Sequence, residues 1–215
     1  MSAPAAASPG RVLLDREALS SAVTRVAAQI EADHPGGVVL VGVLKGALLF
    51  CADLVRAIRT VEVQVDFLAI SRYAADSGRV RILLDVGLDL AGRDVVLVED
   101  LVDTGLTASF LIGHIGALGA RRVELCTLLD RPDRRILPVR PRYVGAVVPD
   151  VYLLGAGLHH RDRFRNLPAV LEVDRESLDR EPDSWRSWFT LPGPRRREAP
   201  EGPGGTLGAE SEATA

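Results

Sequence analysis

Apolar residues recur at helical spacing over 15–33, where Leu19, Val23, Val26, Ala27 and Ile30 share one face and Asp15 stands as N-cap. His34-Pro35-Gly36-Gly37 ends that helix and makes His34 a solvated C-terminal residue. Residues 38–43 are an unbroken apolar run, the pattern of a strand buried on both faces. Lys45-Gly46 interrupts it, and 47–58 reads as a second helix. Alternation at Val63, Val65, Phe67 and Ala69 predicts a strand over 61–71; strand character resumes at 79–84 after a polar, flexible stretch at 72–78. A turn at Ala91-Gly92-Arg93 leads into a buried strand at 95–98. A loop at 103–107 then opens a helix to about 118, stopped by Gly119. Further strands are expected at 123–129, 143–148 and 169–173. Strand–helix–strand alternation of this kind predicts an α/β fold with a mostly parallel central sheet.

Composition sets the bounds around this pattern. The 215 residues, 47% hydrophobic and 26% charged, suffice for one domain with a core that needs no disulfide or metal staple. The expected divisions are a disordered N-terminal tail over 1–10, a domain over 11–174, a charged extension over 175–191 holding Trp185 and Trp188, and a Pro/Gly/Glu-rich disordered tail over 192–215. A net charge of −3 argues against broad nucleic-acid binding, so no nucleic-acid partner is expected. The absence of a long apolar run argues against a membrane partner. MSAPAAASPG is too short and too weakly apolar for a signal peptide. Cys51 and Cys126 lie in separate apolar runs, without CxxC or zinc-type spacing, as expected of buried thiols in a cytoplasmic protein. Of 26 Lys and Arg residues only Lys45 is lysine, which gives its position unusual weight.

The densest chemical signal is residues 95–107, VVLVEDLVDTGLT. An apolar strand runs into Glu99 and Asp100 at the carboxyl edge of a sheet, where α/β folds bind ligands. The loop that follows enters a helix, so its N–H groups and the helix dipole favour a phosphate. Gly105 permits close backbone approach, and Thr104 and Thr107 add hydroxyl donors. Two adjacent carboxylates suit ribose hydroxyls or a hydrated Mg²⁺. Neither a Walker loop nor a dinucleotide glycine fingerprint is present.

This stretch resembles the phosphoribosyl diphosphate (PRPP) signature of type I phosphoribosyltransferases. Together with Leu44-Lys45-Gly46, Val65-Asp66-Phe67, Leu128-Leu129-Asp130-Arg131-Pro132 and Phe164-Arg165-Asn166-Leu167, it resembles the hypoxanthine-guanine branch of that family over roughly 11–174. The resemblance implies a type I phosphoribosyltransferase fold with a small hood and a flexible active-site loop. It implies a reaction in which PRPP and a 6-oxopurine base give a nucleoside monophosphate and pyrophosphate with Mg²⁺, and assembly as a homodimer or homotetramer. Carried over by position, Thr104, Gly105, Leu106 and Thr107 hold the 5′-phosphate, Glu99 and Asp100 the ribose hydroxyls and the metal, and Asp103 exchanges a proton with purine N7. Lys45, Gly46 and Arg165 meet pyrophosphate, with a cis peptide expected just before Lys45. Tyr152 stacks on the purine, Leu153 offers it backbone groups, and a lid begins at Ser71 and Tyr73. His114 is expected to be structural.

Two positions depart from the family pattern. Arg131 stands where the family usually has a lysine against purine O6, keeping the charge but enlarging the group. His159 stands where an aspartate helps hold Mg²⁺ and faces the 2-substituent of the purine; imidazole is a poor Mg²⁺ ligand. His160 beside it reads as lid or surface. These departures leave two alternatives to hypoxanthine-guanine salvage. One is a changed base preference, for xanthine or another heterocycle. The other is a non-catalytic PRPP- or nucleotide-sensing protein on the same fold. Asp103, Lys45 and Arg165 favour the enzyme; His159 and the Trp-bearing extension favour the sensor.

Overall fold

The computed structural model describes residues 10–71 and 81–180. Tyr73 of the expected lid, Trp185 and Trp188 lie outside the described residues. The elements are β1 (Gly10–Leu14), α1 (Arg16–Asp33), β2 (Val38–Leu44), α2 (Leu48–Ala57), β3 (Val63–Ser71), β4 (Arg81–Leu84), β5 (Asp94–Val102), α3 (Leu106–Ala117), β6 (Arg122–Asp130), β7 (Tyr143–Val147), β8 (Leu153–Leu154), β9 (Val170–Val173) and α4 (Arg175–Arg180). A short 3₁₀ turn, Pro132–Arg134, follows β6.

The apolar runs form a six-stranded sheet in the order β4-β3-β2-β5-β6-β7, parallel except for β4. Alternate residues of each central strand feed opposite cores. Leu40 of β2 and Val96 and Val98 of β5 pack with Val26 and Ile30 of α1 and Phe50 and Leu54 of α2. Val39, Val41, Val95 and Leu97 pack with Leu111 and Ile115 of α3 on the other face. Each such buried aliphatic side chain contributes about 1.5–3 kcal/mol relative to exposure. Asp15 caps α1 as expected, its carboxylate accepting from the Ala18 N–H at 2.8 Å.

A second sheet, β1-β9-β8, is antiparallel and forms the hood. Leu154, Phe164, Leu167, Leu171, Val173 and Leu178 make its separate core. Neither β1 nor β8 is predicted by periodicity: β1 opens in the stretch read as a tail, and β8 is only two residues long. Gly10, assigned above to the N-terminal tail, opens β1 opposite Val173, where a Cβ would strike the Glu172 carbonyl. Arg175–Arg180, assigned above to the extension, is helical, and Leu178 completes the hood core. β5 is also longer than the apolar run, continuing through Glu99 and Asp100 to Val102.

His34 corrects an expectation. It is 2% exposed and lies beneath the amino ends of the parallel strands. Its Nε2 is 3.0 Å from a Glu124 carboxylate oxygen and 3.1 Å from the Tyr143 hydroxyl, and its Nδ1 is 3.4 Å from Asp94. The chain turns back through Gly37 (φ 96°) directly into β2, so the helix-ending side chain is carried under the sheet. Burial pushes the Tyr143 phenol up, helped by its carboxylate acceptors Glu124 and Asp33.

Candidate active site

β2 has β3 on one side and β5 on the other, so the direction of chain progression across the sheet reverses there. Ligands of open α/β sheets sit at the carboxyl ends of the strands at such a switch point. Lys45 leaves β2 and Asp103 leaves β5 at this place.

Thr104 and Gly105 form the turn from β5 into α3. Gly105 has φ 82°, a left-handed conformation that disfavours other residues. The helix starts at Leu106, so Leu106 and Thr107 belong to its first turn rather than to a loop. The Thr104 hydroxyl accepts from the Leu106 N–H at 3.4 Å, and the Thr104 carbonyl accepts from Ile136 and Leu137. First-turn N–H groups of a helix lack intrahelical acceptors and attract an anion. Arg135, which the sequence analysis did not single out, flanks this turn; its side chain lies where a Cβ on Gly105 would meet it. It pairs with Asp130, while its buried Nη1 has no hydrogen-bond partner.

Glu99 and Asp100 are 3% and 9% exposed. Strict alternation would point adjacent strand residues to opposite faces, but the register of faces slips here. Val96, Val98 and Leu101 all meet the α1–α2 core, whereas Val95, Leu97 and Val102 meet the α3 core. The Asp100 carboxylate accepts from the Leu101 N–H at 2.9 Å and lies against Gly46, where any Cβ would collide with it. Among the described residues no group of three or more His, Cys, Asp or Glu could hold a metal alone. Two carboxylates fit a Mg²⁺ that completes its shell with substrate oxygens and water.

The Leu44–Lys45 peptide is cis, as the resemblance implied. Gly46 packs back to back with Gly157 of the hood: a Cβ on Gly157 would strike the Gly46 carbonyl. Lys45 Nζ lies 3.4 Å from Asp162, and Arg165 Nη2 donates to the same carboxylate at 2.8 Å. Asp162 therefore ties together the two cations assigned to pyrophosphate, and both hold its carboxyl below the usual range, Arg165 most strongly. The sequence analysis missed Asp162, which is separated from Lys45 by 117 residues. Arg165 also donates to the Gly157 carbonyl at 2.7 Å, and its Nε is buried without a hydrogen-bond partner.

Asp103 faces guanidinium groups. Arg134 Nε is 3.1 Å and Arg131 Nη1 3.7 Å from its carboxylate. The Oδ1 contact has ion-pair distance without hydrogen-bond geometry. Arg131 is 6% exposed; it donates to the Val151 carbonyl at 2.7 Å and lies 3.8 Å from Asp150. The guanidinium is therefore fixed by Asp103, Asp150 and the chain just before Tyr152, and its Nε has no hydrogen-bond partner. Leu153 is a buried β8 residue opposite Glu172. His159 is exposed, and its Nδ1 accepts from the Asp162 N–H at 3.0 Å. That places its proton on Nε2 and makes Nε2 a donor. His160, read above as lid or surface, is instead buried at 8% exposure. Ser71 ends β3 at the margin of the described residues. His114 Nε2 lies 2.9 Å from an Asp85 carboxylate oxygen. A concavity of about 490 Å³ between α1 and α2 is lined by Arg16, Arg56 and Asn166 but by none of the residues predicted to carry chemistry.

The phosphoribosyl transferase domain family model matches residues 12–161. Hypoxanthine-guanine phosphoribosyltransferase of Bacillus subtilis is 36% identical over 164 residues, covering 74% of this chain and 91% of that protein. Among solved structures, a hypoxanthine-guanine phosphoribosyltransferase from Bacillus anthracis matches with a TM-score of 0.73 at 36% identity, covering 76% of this chain and 98% of that one. A Trypanosoma cruzi hypoxanthine phosphoribosyltransferase mutant, complexed with the product IMP, matches with a TM-score of 0.76 at 30% identity, covering 84% and 99%.

Proposed function

This chain belongs to the phosphoribosyltransferase family, in its hypoxanthine-guanine branch, and from that premise we propose how its own residues divide the work. The protein is a purine-salvage enzyme that joins hypoxanthine or guanine to PRPP, giving IMP or GMP and pyrophosphate. The C1′–oxygen bond to pyrophosphate breaks, the N9–C1′ bond forms, and the base loses one proton. Positive charge develops on the ribose and negative charge on the leaving group, so catalysis is largely positioning and electrostatics.

The turn at Thr104, Gly105, Leu106 and Thr107 holds the 5′-phosphate. Glu99 and Asp100 orient the ribose hydroxyls and hold Mg²⁺, which supplies charge neutralisation to the leaving pyrophosphate when bound. Lys45 and Arg165 meet that pyrophosphate, with Gly46 keeping the backbone close. Asp103 accepts the N7 proton. Arg131 faces O6, Tyr152 stacks on the base, Leu153 offers it backbone groups, His159 stands at its edge, and Ser71 and Tyr73 begin a lid. The observation that carries this reading is the meeting of Lys45, the Asp103–Thr107 turn and Arg165 around one switch point. Cytoplasmic location fits two buried free thiols, Cys51 and Cys126. Assembly as a homodimer or homotetramer fits the exposed Leu48 and Leu49 of α2.

His159 supports a second reading of base choice. Its Nε2–H is a donor, which suits the C2 carbonyl of xanthine; the 2-amino group of guanine needs an acceptor. One experiment decides between these. Purified protein is incubated with PRPP, Mg²⁺ and hypoxanthine, guanine, xanthine or adenine, and nucleotide and pyrophosphate are followed together. Equal amounts of IMP or GMP and pyrophosphate are expected. Predominant XMP moves the assignment to xanthine, and PRPP binding without nucleotide from any base makes the protein a sensor.

A further inference from the structure

A relay centred on the buried His160 lies behind the ring assigned to stack on the base. The Tyr152 hydroxyl is 2.9 Å from His160 Nδ1, and His160 Nε2 is 3.0 Å from Asp179 of α4. The two rings meet edge to face, with centroids 5.8 Å apart and planes at 82°. Asp179 is also bound by Arg161 at 2.8 Å. Four residues earlier on the same helical face, Arg175 places its guanidinium 5.7 Å from the Tyr152 ring centroid. The backbone of His160 is pinned by a reciprocal pair of hydrogen bonds with Arg163. Leu178, between Arg175 and Asp179, anchors α4 in the hood core.

We propose that His160 and Asp179 are positioning residues that set the orientation of the Tyr152 ring and so determine how tightly the purine is held. This rests on the reading of Tyr152 as the stacking residue. A tyrosine platform has two soft torsions, and tethering the far end of the ring fixes both. The direction of the relay follows from its charges. Burial pushes the Tyr152 phenol up, and Asp179 adds to this while Arg175 and Arg161 oppose it, so the hydroxyl keeps its proton and donates to Nδ1. His160 then carries its proton on Nε2 and donates to the Asp179 carboxylate. With Arg175 over one face of the ring, the base stacks on the other. In this arrangement α4 is part of the base site, although it follows the last strand and touches no substrate.

The test separates the base from PRPP. In His160→Leu and Asp179→Asn, KM for hypoxanthine rises about three- to tenfold, while KM for PRPP changes by less than about twofold. His160→Asn, whose amide oxygen can accept from the tyrosine hydroxyl, recovers part of the loss. Tyr152→Phe combined with His160→Leu is no worse than the worse single variant, because both remove one link. Equal effects on both KM values, or additive losses in the double variant, overturn the proposal. Should the variants fail to fold, ¹⁵N-histidine NMR of the wild-type protein reads the His160 tautomer directly, and a proton on Nδ1 at neutral pH overturns the relay. Tyr152→Ala separates the layers of inference. If it leaves KM for hypoxanthine unchanged, the stacking role fails; if it raises that KM and His160→Leu does not, only the relay fails.

Discussion

The two ends of the central sheet both bury charged groups, but they treat them differently. At the amino end, His34 contacts Asp94, Glu124 and Tyr143, and the carboxylates have further partners in Arg121, Arg122 and Arg142. At the carboxyl end and the adjoining hood loop lie all four buried side-chain polar atoms that lack a hydrogen-bond partner among the described residues: Asp103 Oδ1, Arg131 Nε, Arg135 Nη1 and Arg165 Nε. Buried polar groups are normally paired, and exceptions need a reason. A closed network fastens strands together. In the incomplete one, set beside a helix start, three of the four atoms are guanidinium nitrogens, donors that phosphate oxygens would satisfy, and the fourth, Asp103 Oδ1, awaits a donor. On the proposed assignment, chemistry resides where pairing is unfinished, rather than wherever charge is buried.

The strongest break in this comparison comes from the carboxyl end. Asp103→Asn keeps the shape and removes the base, so turnover falls by about 10²–10⁴-fold while the melting temperature stays near wild type; steady-state kinetics and calorimetry report the two separately. A large loss of stability instead would make Asp103 a member of the fastening network. The converse variant is His34→Leu. It strips the imidazole from two carboxylates and costs about 2–3 kcal/mol, lowering Tm by about 5–10 °C, with KM for PRPP unaltered. Acid sharpens the same contrast. Asp94 is held below the usual carboxylate range, chiefly by its hydrogen bond from Arg121 and then by His34. Asp33 is held low by Arg142 and then Tyr143. A depressed folded value contributes stability above the ordinary pKa and loses it as pH falls through the folded one. Urea titrations between pH 7 and pH 3 are therefore expected to show a steepening loss below about pH 4, shallower in Asp94→Asn. The smallest effect is Asp162→Ala. Freeing Lys45 and Arg165 from this exposed carboxylate is expected to lower KM for PRPP, by at most about fivefold. A rise in KM would mean that Asp162 aligns the cations rather than competing for them.

What the sequence disclosed follows from range. β2, β5 and β6 are legible because five or more consecutive buried positions leave a strong local pattern. The Asp-Thr-Gly turn is legible because its parts are adjacent in the chain. β1 and β8 are not, since each exists only through pairing with a strand near the other end of the domain or with a short neighbour. His34 was misread because its partners lie 60, 90 and 109 residues away. Asp162, Arg135 and His160 are ordinary polar residues in sequence and gain meaning only from what folds against them. The faces of β5 also slip at Glu99 and Asp100, the one place where strand periodicity would assign the acids to opposite sides.

The pairing of β1 with β9 has a consequence for biosynthesis. Among the described residues β1 pairs only with β9, so it waits until Val170–Val173 has been made. The parallel sheet can condense earlier, because its strands lie between these two. On the proposed assignment, the turn for the 5′-phosphate is thus complete before the hood that backs the platform for the base. On that assignment a nascent chain presents its phosphate turn before Arg165 and the rest of the hood have been made.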